Sequence, residues 1–197
     1  AATIGATNWA GIDLAAATPE LVEVDADSGP LQPQRLRKAL TANADVLARY
    51  DLVLLDCPPS LGRLLLAALV AASDLLIVTE PATHSLQGVQ RIEESAEELR
   101  EGFNQATPHL AGIIVNRAQR TSDHQHSEAE LRQAYGQLVL PGAIPLRTAV
   151  PDAANRGIPI HDAIGDGALA VSTVLSSMWR NLQPRLHPFT AITTRSV

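Results

Sequence analysis

The stretch Asp51-Leu-Val-Leu-Leu-Asp56-Cys57-Pro58-Pro59-Ser60 decides how the rest of the chain is read. Val53, Leu54 and Leu55 form a continuous apolar run, which suits a strand buried on both faces of a parallel sheet. The run predicts a strand over residues 51–56 that delivers the Asp56 carboxylate to its C-terminal end. Pro58 and Pro59 then fix two φ angles and remove two backbone donors, so the strand cannot run on. In open α/β sheets, ligands bind outside the carboxyl ends of the strands. Two roles are open to Asp56 there: holding a hydrated Mg²⁺ beside a nucleotide phosphate, or capping the next helix.

Outward from this stretch, strand-like and helix-like segments alternate, the pattern of right-handed β-α-β units. Strands are predicted over residues 19–26, 74–79, 112–115 and 138–144, the last interrupted by Pro141-Gly142. Helices are predicted over residues 34–50, 60–72 from a Ser60 cap, 128–135 and 167–182, with a short helix or turn over 148–156. A longer helix opens at Ser85, with Leu86, Val89, Ile92, Ala96, Leu99 and Phe103 as its apolar stripe. Its Glu93, Glu94, Glu97, Glu98 and Glu101 read as a solvated face. Residues 1–19 read as irregular with room for one short helix, and the polar segment 118–127 as loop. One α/β domain over residues 1–182 is expected, followed by a loosely ordered tail over 183–197.

Composition narrows the chemistry. Hydrophobic residues make up 46% of the 197 residues but aromatics only 3%, so the core is built from Leu, Val, Ile and Ala. That favours helices packed on parallel strands over an aromatic-rich sandwich. The net charge of −6 gives no whole-molecule attraction to nucleic acid and leaves only a local arginine patch for that purpose. A single cysteine, Cys57, excludes an intramolecular disulfide and a multi-cysteine zinc site, which fits a reducing, cytoplasmic setting. The apolar run over residues 64–72 is too short to span a bilayer. Lys38 is the only lysine and no glycine loop surrounds it, so the chain contains no G-x-x-x-x-G-K-[ST] phosphate loop. His124-Gln-His126 has no third histidine or cysteine nearby in sequence and lies in a polar loop, and Val24-Asp25-Ala26-Asp27 reads as turn chemistry.

Four blocks in order carry a family resemblance. They are Tyr50 through Gly62 around Asp56-Cys-Pro-Pro-Ser60, and Ala72-Ser-Asp74 through Glu80-Pro81 with Ser85-Leu-Gln-Gly88. Gly112-Ile-Ile-Val-Asn116-Arg117 follows, then Ile144-Pro145-Leu-Arg147 with Val150-Pro-Asp152-Ala153 and Gly157-Ile-Pro-Ile160. Over residues 35–182 the chain resembles the ParA/MinD-type P-loop ATPases, and more closely the ParA-like partition branch. The resemblance implies a three-layer P-loop NTPase-like α/β fold with a mostly parallel sheet, here lacking the first strand and the phosphate loop. It implies that Asp56 is the Walker-B carboxylate, reaching Mg²⁺ through a water. Cys57, Pro58, Pro59 and Ser60 would form the γ-phosphate-sensing switch, and Cys57 on its own reads as a small buried hydrophobe. Asn116 would pair with the adenine edge, since an amide offers one donor and one acceptor. Arg117, Pro145 and Asp152 would complete the nucleotide side, Asp152 standing where the family usually has Glu. Arg117, Arg120, Arg147 and Arg156 would bind DNA nonspecifically, with surface salt bridging as the alternative.

The same resemblance implies a cytoplasmic, ATP- and Mg-dependent homodimer that works on DNA with a centromere-binding partition protein and without a membrane. The missing loop implies a chain that is inactive alone, because phosphoryl transfer depends on positioning and charge stabilisation by that loop. Two other readings stand beside this one. One is a non-catalytic interaction remnant. The other is a different superfamily member, MinD-like or cobyrinate-synthase-like; the former would call for a basic amphipathic C-terminal helix, which residues 184–197 do not form.

Overall fold

In the computed structural model, which describes residues 4–26, 29, 32–58 and 62–187, the first half of the chain runs β1 (Ile4–Ala6), β2 (Asp13–Ala15), α1 (Leu21–Ala26), α2 (Gln34–Ala42), α3 (Ala44–Leu47) and α4 (Arg63–Ala71). It continues through β3 (Asp74–Thr79), α5 (Ser85–Gly102), β4 (His109–Val115), α6 (Ser122–Tyr135), α7 (Ala149–Asn155) and α8 (Asp166–Leu182). Short 3-10 turns occupy Gly136–Leu138, Ile160–Asp162 and Gln183–Arg185.

The centre is the parallel pair β3–β4, joined by α5 as crossover, with Asp74 opposite His109 and Thr79 opposite Val115. Successive strand residues point to opposite faces, and both faces are covered. Ile77, Ile113 and Val115 pack with Val89 of α5 and Leu131 of α6 on one side. Ala111, Leu76 and Ile114 pack with Leu140 and with Met178 and Leu182 of α8 on the other. The register slips between Leu75 and Leu76, alongside Gly112. A side chain there would place its Cβ 3.1 Å from Leu140 Cγ and Cδ2, so the close approach of Leu140 favours glycine.

The predicted fourth strand is replaced by a broken one. The Leu140 and Ile144 amides donate to the Ile113 and Val115 carbonyls, both at 2.9 Å, along the outer edge of β4. Between them Pro141 offers no donor and Gly142 turns with φ +78, so the ladder is never continuous.

The strand expected over residues 51–56 does not form. Residues 52–58 make no backbone–backbone hydrogen bond among the described residues, and Leu52, Val53 and Leu54 are exposed. The apolar run is that of a strand, but no described strand lies beside it to complete the ladder. β3 likewise pairs with β4 alone among the described residues, and its Val78 is 57% exposed.

Other corrections have local causes. Residues 21–26 are helical because Thr18-Pro19-Glu20 starts a turn: the Leu21, Val22 and Glu23 amides donate to the Thr18, Pro19 and Glu20 carbonyls. That start signal outweighs three alternating apolar residues. Residues 4–15, expected to be irregular, form an antiparallel hairpin. The helix predicted over 34–50 breaks at Asn43, whose side-chain amide donates to the Ala39 carbonyl at 2.8 Å. α6 begins at Ser122 because Thr121 caps it, its hydroxyl accepting the His124 amide at 3.3 Å. The tail does not loosen at residue 183. Leu186 packs against the α8 side of the core, and His187 bonds Asp74 through its amide (3.0 Å) and its Nδ1 (2.7 Å). Residues 188–197 lie outside the described residues. No helix among the described residues is long and apolar enough to cross a membrane.

Candidate functional site

The carboxyl ends of β3 and β4 bring two predicted elements together. Past Val115, the Asn116 amide donates to the Thr79 carbonyl at 2.8 Å, extending the ladder by one bond. Arg117 then turns in the left-handed region at φ +55, its amide held by Asn116 Oδ1 at 2.9 Å. Asparagine suits this position because its short side chain bonds the backbone next to it. The Ala118 amide donates to the Ile144 carbonyl (2.9 Å) and the Leu146 amide to the Ala118 carbonyl (3.0 Å). Asn116 and Pro145 therefore stand on adjoining segments above the sheet end, and Asn116 Nδ2 has no partner among the described residues. Arg117 Nε reaches Glu80 Oε1 at 3.2 Å across the strand ends. Both side chains are more than half exposed, so this pair contributes little stability.

Asp56 is exposed and forms no hydrogen bond or ion pair among the described residues. Cys57 is half-buried, with Sγ donating to the Leu55 carbonyl at 3.5 Å. Burial, and secondarily the charge of Asp56, push its thiol pKa up, so it behaves as a small apolar side chain rather than a thiolate. Pro58 is exposed; Pro59 and Ser60 lie outside the described residues. No hydrogen bond or ion pair joins Asp56 to Asn116, Pro145 or Asp152 among the described residues.

Asp152, Arg147 and Arg156 share a second location, a cleft of about 290 Å³ between α7 and the start of α8. Arg120 is exposed in the turn before α6 and is not part of it. The histidine pair is otherwise engaged: His124 Nδ1 accepts the Gln119 amide (3.1 Å), and His126 pairs with Glu130 (3.3 Å) one turn along α6.

Sequence reasoning missed three contributors. Glu80 closes β3 and anchors Arg117. Thr148 and Gly167 help line the cleft, and the glycines flanking Asp166 at the head of a helical pattern were the available signal. The hairpin is tied across the molecule by the Trp9 indole donating to the Gly157 carbonyl at 2.7 Å, and by the Tyr50 phenol donating to Asp13 at 2.6 Å. Nothing in the residue pattern foretold either long-range bond.

A pH-sensitive tie joins α5 and α6. The Tyr135 phenol on α6 donates to Glu93 on α5 at 2.9 Å. Its pKa is pushed up to about 12, first by burial, then by the bond to Glu93 and the charges of Glu93 and Glu94. A raised pKa means the neutral phenol is favoured in the folded state. Its contribution is whole below the unfolded pKa near 10 and is lost as pH rises towards 12. Tyr135→Phe should therefore flatten the fall in urea midpoint between pH 9.5 and 12, relative to the parent. Identical slopes for the two proteins would refute the tie.

The parallel strands and two-sided helical cover define an α/β fold of the P-loop NTPase-like class. An ATP complex of McdA from Cyanothece superposes with a TM-score of 0.70 at 22% identity, covering 89% of this chain and 69% of that one. A family model described as an AAA domain matches residues 4–108, so the likeness starts well before residue 35. The chromosome-partitioning ATPase Soj of Thermus thermophilus is 34% identical over 176 residues, covering 88% of this chain and 68% of Soj. The cell division protein PomZ of Myxococcus xanthus is 33% identical over 153 residues, covering 77% of this chain and 46% of PomZ. The chain belongs to the ParA/MinD superfamily of ATPases, and it spans about half to two thirds of the length of these relatives.

Proposed function

We propose that the chain is the larger part of a ParA-like partition ATPase: a Mg-ATP-switched, cytoplasmic homodimer that binds DNA and answers to a centromere-binding partition protein. The observation that carries this reading is the junction of Asn116–Ala118 with Ile144–Leu146 at the carboxyl ends of the strands. It offers a free amide and a proline segment where a base would lie, with Asp56 available as the carboxylate for a hydrated Mg²⁺. Residues 57–60 would then form the phosphate-sensing switch, and Arg117 and Asp152 would join Asn116 and Pro145 on the nucleotide. Arg117, Arg120, Arg147 and Arg156 would supply the DNA contacts. The bond to Glu80 means that Arg117 must exchange one partner for another in doing so.

The residues present fit only the base end of a nucleotide. The one lysine, Lys38, lies in α2, and the described residues hold no cluster of three metal-binding side chains. The phosphate end would have to be supplied by a strand and loop from outside these residues, for which the edge of β3 and the run 52–56, both unpaired among the described residues, are the natural partners. About ten adenine atoms at roughly 0.3–0.5 kcal/mol each give about 3–5 kcal/mol, a millimolar-scale affinity. The 197-residue chain should bind ATP at that level or more weakly and hydrolyse none. A longer form carrying the phosphate loop should bind at least about a thousandfold tighter, since charge-assisted phosphate contacts add several kcal/mol. Its turnover should vanish in Asp56→Ala, measured by phosphate release. Turnover by the 197-residue chain, or full activity of the longer Asp56→Ala protein, would overturn the assignment.

A further inference from the structure

The amino ends of β3 and β4, at the opposite end of the strands from the candidate site, carry a cluster of their own. Asp74 and His109 open the two strands and stand opposite each other. Beside them lies a C-terminal strap, the Gln183–Arg185 turn followed by Leu186 and His187. Three donors converge on the nearly buried Asp74 carboxylate. Ser73 Oγ (2.9 Å) and the His187 amide (3.0 Å) donate to its Oδ2, and His187 Nδ1 donates to its Oδ1 at 2.7 Å. A carboxylate only accepts, so this bond keeps the ring proton of a neutral His187 on Nδ1. The His109 ring lies against the His187 ring, with centroids 4.4 Å apart and planes tilted by 34°. Leu186 packs on the apolar cluster of Ala111, Leu140, Met178 and Leu182.

The other charged groups at this end are engaged elsewhere. Arg185 donates to the Ala111 carbonyl at 3.3 Å and to Asn181 Oδ1. Arg100, near the end of α5, donates to the Pro108 carbonyl at 2.6 Å and pairs with Glu97. Asp74 is the one carboxylate bonded to either imidazole among the described residues.

We propose that the strap is a pH-sensitive latch, tightened by one proton on the imidazole pair and opened by a second. Imidazoles take up protons between about pH 8 and 5. A proton on His187 turns its bond to Asp74 into a charge-assisted one. A second proton, on His109, sets two cations ring to ring with one carboxylate between them. Release of His187 would free Leu186 from its seat and bare that part of the apolar cluster. The latch does not depend on the ATP reading, which concerns the other end of the strands.

The test is hydrogen exchange of the Leu186 and His187 amides in the 197-residue protein, read by NMR and corrected for the intrinsic rate at each pH. In the folded chain these amides donate to the Gln183 carbonyl and to Asp74. Their protection should fall by at least about fivefold from pH 7 to pH 5, the effect of two unit charges about 4 Å apart in water. His109→Phe keeps a ring in the stack and removes the second charge, so protection should hold to pH 5. His187→Phe removes the bond to Asp74 and should leave the strap unprotected at both pH values. Both histidines are exposed, so neither change removes a core side chain. Unchanged exchange of the Val171 and Met178 amides in α8 checks that the fold is intact. Protection that does not change with pH would overturn the proposal. So would an acid loss that His109→Phe shares in full, or a His187→Phe strap as protected as the parent's.

Discussion

Ile113→Ala is expected to lower the unfolding free energy by about 2–5 kcal/mol, read as a shift of the urea midpoint at unchanged slope. Ile113 has no exposed surface and sits in the middle of β4 among Ile77, Val115, Leu131 and Val139. Its removal loses the transfer free energy of three carbons and leaves a hole that close-packed neighbours cannot fill. Its carbonyl also accepts the Leu140 amide, the first bond that ties the broken outer strand to the sheet. Whole domains are stable by only about 5–15 kcal/mol, so this one change takes a large share. Ile113→Val should cost about 0.5–1.5 kcal/mol, which separates cavity formation from a general fault of the site. A cost below about 1 kcal/mol for the alanine variant would mean that β4 is not the centre of the fold.

How much of this was legible beforehand depended on whether a segment's partner was also in the chain. β3, β4, α5 and α8 were readable because their apolar faces are satisfied by one another: the Ile77 and Ile113 face by Val89 of α5, the Ala111 face by Met178 of α8. The run 51–56 carries four consecutive apolar residues as β3 does and fails to form a strand, because backbone groups without a neighbouring strand are better solvated than ordered. The hairpin at residues 4–15 was hidden for the opposite reason. Its order rests on the Trp9 bond to Gly157 and the Tyr50 bond to Asp13, contacts that no local pattern encodes. At the candidate site, the Asn116 and Pro145 blocks were legible as motifs, and the structure joins them through the Ala118 bridge. The cleft was not, because Arg147 and Arg156 acquire a shared space only through the packing of α7 on α8.

Leu54→Lys combined with Val78→Lys is expected to weaken self-association of the 197-residue chain by on the order of a hundredfold while moving its thermal midpoint little. Leu54 is 80% and Val78 57% exposed, and both lie on segments whose backbone has no second strand partner among the described residues. Open, apolar strand edges are templates for pairing with another copy, and lysine is a common guard against it. Burying each such side chain contributes about 1.5–3 kcal/mol, so losing two should weaken association by on the order of a hundredfold. Sedimentation velocity across a concentration series measures this directly. Both side chains are more than half exposed in the folded monomer, so its stability should change by no more than about 0.5 kcal/mol. The same double change should have the opposite consequence in a longer protein whose added strand pairs with β3 and with residues 52–56. There both positions become interior, and two buried lysine charges would cost several kcal/mol. Self-association unaffected in the short chain, or stability unaffected in the long one, would show that these edges are not where the sheet is completed.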